Sequence, residues 1–125
     1  MTDLARTLAA SAQGMEAQGR RLRHATENVA NADTPGYRRK VVDFRGTVEG
    51  GVVAGPVRLD RRALERVHDP SHPLADATGH YDGSNVDLLI ELADAREAQR
   101  SYEANLRLFD QTRAMAAALI ETLRR

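Results

Sequence analysis

At 125 residues the chain has room for one domain, or a small domain with extended arms, and not for two independent cores. Eighteen Lys plus Arg balance eighteen Asp plus Glu, so no global field draws nucleic acid or an anionic membrane to it. Aromatics are only 4% and Trp is absent, while Ala, Leu, Arg and Glu are plentiful, which sets the class as mainly α; the lack of Cys removes disulfides, thiolate metal sites and a Cys nucleophile.

From the N-terminus, Leu4, Leu8, Ala12, Met15, Gly19, Leu22, Thr26 and Val29 recur at steps of three and four. That is the period of one apolar helix face, and it predicts a helical segment over residues 1–33. Gly19 costs such a helix about 1 kcal/mol against Ala, so Ala12 and Gly19 are expected to serve the close approach of another backbone. Asp3, Arg6 and Glu16 interrupt the start of the chain, which is therefore expected to be neither a secretory signal peptide nor an organellar transit peptide.

The helix must stop at Thr34-Pro35-Gly36-Tyr37. Pro fixes φ at the first central position of a turn, and Gly supplies the positive φ that the second central position of a type II turn requires. Residues 34–83 then form a Gly- and Pro-punctuated middle, with β-type runs at Lys40 to Phe44 and Gly51 to Ala54. Two or three short strands followed by loop are expected. A segment this size, without Cys or a metal pattern, must lean on the helices or on neighbouring subunits.

Residues 84–125 carry a stronger pattern. Leu88, Leu92, Ala95, Gln99, Tyr102, Leu106, Phe109, Arg113, Ala116, Ile120 and Leu123 alternate steps of four and three, a sustained heptad seam. Ser84 is the expected N-cap, with Asp87 near the positive end of the dipole. No Pro or Gly interrupts residues 85–125, so the helix would run about 60 Å at ~1.5 Å per residue. Its longest uncharged apolar stretch, Ala114 to Ile120, is far below the ~20 residues of a membrane span, so no direct membrane insertion is expected.

Chemistry-bearing candidates are few. His68 and His72 have the spacing of two ligands on a helix, but Pro70 and Pro73 break any helix there and no third ligand is in view. Asp69, Asp76 and Asp82 sit in the same Gly/Pro-rich stretch, where surface and capping roles outweigh acid–base chemistry. Arg20, Arg21, Arg23 and His24 suit the negative end of the first helix, and with Arg38, Arg39 and Lys40 they lack the interleaved aromatics of a nucleic-acid surface. Gly46 to Gly55 lacks the Lys-Ser/Thr of a phosphate loop. No catalytic, cofactor-binding or metal residues are assigned.

What remains is assembly through two partner-seeking helices. The run Asn28-Val-Ala-Asn31-Ala-Asp-Thr34-Pro35-Gly36-Tyr37-Arg-Arg-Lys resembles the N-terminal signature of the bacterial flagellar axial proteins, those of rod, hook and hook junction. His68 to Gly79, Asn85-Val-Asp87 and Arg100-Ser-Tyr102-Glu-Ala-Asn105 are similar to the proximal rod members of that family; Asp82 to Asp87 is shared with a sister proximal rod protein, the close alternative. The stretch from Phe44 to Val67 matches only loosely.

The resemblance implies a structural subunit, not an enzyme, in the basal-body rod that crosses the periplasmic space and transmits torque from motor to hook. It implies export without a cleaved signal through the flagellar type III apparatus, and partners that are other rod proteins and copies of itself in a helical assembly. Nucleic acid is not among them. It implies that the terminal helices pack as a coiled coil, with Asn28, Asn31, Thr34, Pro35, Gly36 and Tyr37 fixing the exit turn. Leu4, Leu8, Met15, Leu22, Val29, Leu88, Leu92, Tyr102, Leu106, Phe109, Ile120 and Leu123 would be its assembly seams. Periodicity alone fits a second reading, a free-standing coiled-coil adaptor of non-flagellar function.

Overall fold

The computed structural model describes residues 2–125. Two long helices, α1 (Thr2–Ala30) and α2 (Leu88–Arg124), lie antiparallel, and a small β segment between them in sequence packs against α1. The β segment holds six strands of two or three residues: β1 (Lys40–Val41), β2 (Phe44–Gly46), β3 (Val52–Ala54), β4 (Arg58–Leu59), β5 (Arg66–His68) and β6 (His80–Asp82). They form three separate two-stranded antiparallel ladders, β1 with β4, β2 with β3 and β5 with β6. Register is set at Lys40 opposite Leu59, Phe44 opposite Ala54 and His68 opposite His80.

Two expectations about this middle are corrected. Lys40 to Phe44 is not one strand, because the chain breaks after Val41 and changes partner from β4 to β3. Residues 56–82 are not loop, because β4, β5 and β6 lie there. Each ladder is too short to show a period-two pattern, and turn chemistry does the work instead. In the β5–β6 connection, Asp69 Oδ1 accepts from the amide and hydroxyl of Ser71, and Asp76 Oδ1 accepts from the amide and hydroxyl of Thr78 and the amide of His80. These are the capping roles expected for both. The rings of His68 and His80 sit across the ladder with centroids 4.6 Å apart, and His72 stacks on Tyr81 at 3.9 Å.

The start of α2 is also corrected. Asp87, not Ser84, is the N-cap, its carboxylate accepting from the Leu89 amide at 3.0 Å. Ser84 is already engaged, donating its hydroxyl to the Ala32 carbonyl just past the end of α1, and the helix begins only after Asp87, whose backbone is extended. Among the described residues no helix is long and apolar enough to cross a membrane.

Candidate assembly site

Four features define how the chain could meet its neighbours: the exit turn, an ion network beside it, the interface between the helices, and the rows those helices leave outside.

At the exit turn Gly36 has φ +75° and the Tyr37 amide donates to the Thr34 carbonyl at 3.2 Å, the geometry of a type II turn. The Gly36 amide donates to the Asp82 and Gly83 carbonyls at 3.1 and 3.0 Å, tying the turn to the end of β6. Open space surrounds the position a Cβ would take on Gly36, so the demand for glycine comes from the dihedral and not from crowding. Asn31 donates its side-chain amide to the Glu27 carbonyl at 3.0 Å, and its Oδ1 accepts from the Thr34 hydroxyl at 3.1 Å.

Asn28 is the hub. Buried at 1% exposure, it donates Nδ2 to the Lys40 carbonyl at 3.0 Å, while its Oδ1 accepts from the Lys40 amide at 2.9 Å and from the Tyr37 hydroxyl at 2.8 Å. One side chain on the last turn of α1 thus pairs with both polar groups of the first β1 residue. The pKa of the Tyr37 hydroxyl is raised, by burial first and by the nearby Glu27 carboxylate. Lys40 closes the loop with an ion pair to Glu27 at 2.6 Å, which lowers the Glu27 pKa and raises that of Lys40.

Beside the turn, Arg39 is buried and sits among three carboxylates. Its Nε donates to Glu91 at 2.6 Å, one terminal nitrogen pairs with Asp60 at 3.3 Å and the other with Asp94 at 3.5 Å. Glu91, at 1% exposure, has been carried into the interior with it. Burial opposes the guanidinium charge, and the hydrogen bonds and fields of Glu91 and Asp60 outweigh it, leaving its pKa raised. Arg62 holds the Asp60 carboxylate well below the usual range through its side chain and amide, with Arg39 adding to this. Arg21 of α1 completes the network on Asp94 at 2.9 Å and Glu97 at 3.2 Å. Asn85 braces it, its Oδ1 accepting from the Arg39 amide at 2.7 Å and its Nδ2 donating to the Asp60 carbonyl at 2.9 Å.

None of Arg39, Asp60, Asn85 or Glu91 was singled out for this from sequence. Arg39 reads there as one of three consecutive cations, and its partners lie 21, 46 and 52 residues away. The only local hint is that Glu91 and Asp94 share one face of α2 at a spacing of three.

The buried positions of the two helices are small or polar: Ser11, Ala17, Ala25 and Asn28 on α1, and Glu91, Ala98 and Thr112 on α2. The close-approach glycine is Gly14, where a Cβ would lie 2.6 Å from Asn105 Oδ1. The expectation for Ala12 and Gly19 is therefore corrected: Ala12 is exposed, and a Cβ on Gly19 would stand an ordinary 3.9 Å from the Tyr102 ring.

The seam residues are less buried than these. Leu88, Leu92, Tyr102, Leu106, Ile120, Leu123 and Val29 are exposed, and Leu4, Leu8, Met15, Leu22 and Phe109 are half-buried. The two rows border one groove of the helix pair: Gly19 faces Tyr102, and Thr26 and Val29 line a hollow with Leu88, Leu92 and Ala95. The β segment occupies other faces of α1, through Gln13, Glu16, Ala17 and Arg20 against Val53 and Ala54.

The two ends of the chain match separate family descriptions. Residues 8–38 match "Flagella basal body rod protein", and residues 77–122 match "Flagellar basal body rod FlgEFG protein C-terminal". A flagellar basal-body rod protein FlgC from Agrobacterium fabrum is 44% identical over 123 residues, covering 89% of this chain and 88% of the relative. The FlgC of Salmonella typhimurium is 35% identical, covering 81% and 84%, and that of Bacillus subtilis 30%, covering 92% and 95%.

Proposed function

The chain belongs to the flagellar basal-body rod protein family, and on that premise we propose that it builds the proximal part of the rod and passes torque along it. It is a structural subunit of the flagellar basal body. The relatives named above favour the proximal rod protein they share over its sister. Its position in the periplasm and its export through the type III apparatus without a cleaved signal are part of the proposal.

The observation that carries the reading is the inverted placement of apolarity. The fully buried positions of the two helices are small or polar, while Leu88, Leu92, Leu106, Ile120 and Leu123 of the α2 seam are exposed. An isolated hairpin of this kind buries little apolar surface, whereas a bundle of neighbouring subunits would bury both rows. The Asn28 hub and the Gly36 turn would then fix the angle at which the chain leaves the helical layer for the outer β segment.

A strain lacking the chain tests this. Loss of rod, hook and filament together in electron micrographs of basal bodies, with loss of swimming and restoration by the intact gene, is expected. Normal flagella in that strain would overturn the proposal and return the adaptor reading.

A further inference from the structure

β4 is the open edge of its ladder, since its one partner is β1 and no strand lies on its other side among the described residues. Lys40 stands opposite Leu59, and the Asp60 amide donates to the Arg39 carbonyl at 2.9 Å, which makes Lys40 and Leu59 a pair whose own backbone groups point away from each other. On the β1 side those groups are taken by Asn28. On the β4 side the amide and carbonyl of Leu59 have no such clamp among the described residues, and the residue is 52% exposed.

Beside Leu59 opens a groove of about 830 Å³, lined also by Arg38, Arg58 and Arg61. Three guanidinium groups thus gather in a chain whose formal net charge is zero. Arg38 is held in place, its Nη1 donating to the carbonyls of Asp60 and Arg62 at 3.3 and 3.0 Å, which leaves its remaining donors for a ligand. Arg58 pairs with Asp43 at 3.1 Å in an exposed contact that an incoming carboxylate can replace at little cost, and Arg61 has no carboxylate partner among the described residues.

We infer that this edge receives an extended acidic segment of another protein as a third strand, its backbone pairing with Leu59 and its carboxylates meeting Arg38, Arg58 and Arg61. Charge complementarity selects the occupant. Acidic residues at every second position of the incoming strand share one face and can meet the arginines together. A second copy of the edge would instead bring arginine against arginine. Nor does this chain hold a suitable strand, because no two of its acidic residues stand two positions apart. The groove is far larger than one phosphate ion, and its concave shape suits a polypeptide better than the plane of a bilayer.

A titration of the full-length protein with a short fluorescein-labelled peptide that alternates Glu with Val, read by fluorescence polarisation, tests this. Saturable binding is expected, with exchange of the Leu59 amide hydrogen slowed at least about tenfold at saturation, because that amide gains a partner. Arg61→Glu should weaken binding at least about tenfold and leave the fold intact, since the side chain is exposed and unpaired among the described residues. The same peptide with every amide N-methylated keeps its carboxylates but loses its strand donors, and should bind at least about tenfold more weakly. No binding at millimolar peptide, equal affinity in Arg61→Glu, or a Leu59 amide that exchanges as fast with the peptide as without it overturns the inference. Binding of phosphatidylglycerol vesicles in place of the peptide would overturn it too, giving the surface to a membrane. None of these results touches the deletion phenotype, so this reading and the rod-subunit reading fail separately.

Discussion

Replacing Asn28 by Ala removes three hydrogen bonds at once, those to the Tyr37 hydroxyl and to the amide and carbonyl of Lys40. A net bond contributes about 1 kcal/mol, but a buried group left without a partner costs about 1 to 3 kcal/mol. Tyr37 and Lys40 are half-buried, so water can repair part of the damage, and the expected loss is about 3 kcal/mol. In urea, with a slope of about 2 kcal/mol/M, the midpoint should fall by about 1.5 M with the slope unchanged. Exchange of the Lys40 amide hydrogen should quicken along with it. Tyr37→Phe removes one bond of the same set, so the double variant should be more stable than the sum of the singles predicts by about 1 kcal/mol. A loss below about 1 kcal/mol, or strict additivity of the two, would refute the hub as described.

Gly36→Val should strain the turn by about 1 to 3 kcal/mol through its positive φ and impair rod assembly while expression stays intact; normal motility in that strain would count against the proposed role of the turn. Leu106→Asp puts a charge on an exposed seam position, so it should shift the stability of the free chain by no more than about 0.5 kcal/mol yet block incorporation, leaving subunit that is secreted and unassembled. Assembled rods carrying that variant would contradict the seam. Asp60 has a lowered pKa in the folded chain, so its contribution is full above the unfolded carboxylate pKa of about 3.9 and is lost as pH falls below it. Asp60→Asn should therefore lower the neutral plateau and flatten the acid limb in a denaturation series from pH 7 to pH 3, and an unchanged acid limb would place that sensitivity elsewhere.

The helices and the exit turn were legible because their signals are local. A three-and-four period survives whatever the helix packs against, and Pro-Gly prescribes its own dihedrals. Ser84 misled because a good capping residue can spend its hydroxyl on a distant carbonyl, here that of Ala32. The β ladders were partly hidden, being two or three residues long and held by Asp turns and the Asn28 clamp more than by side-chain alternation. The helix interface was hidden for a deeper reason. Apolar periodicity marks the row that most needs burial, and in this chain that row only borders the groove of the helix pair, while the buried positions go to Ser11, Ala25 and Ala98 and the close contact to Gly14 and Asn105. Arg39 could not be told from its neighbours without knowing that Glu91 comes to meet it.

The Arg39 cluster also has a mechanical meaning. A turn at residues 31–36 invites the picture of a swivel, letting the β segment swing while the helices stay still. The guanidinium instead joins three parts of the molecule, since Arg39 stands just before β1 and grips α2 at Glu91 and Asp94 and the residue after β4, Asp60. A sideways push on the outer segment therefore reaches the long helix through short ionic struts beside the turn. Bending there would require pulling a buried charge off its partners, a stiff restraint of several kcal/mol by the measure of broken buried pairs. The β segment and the helix pair are thereby held to move together.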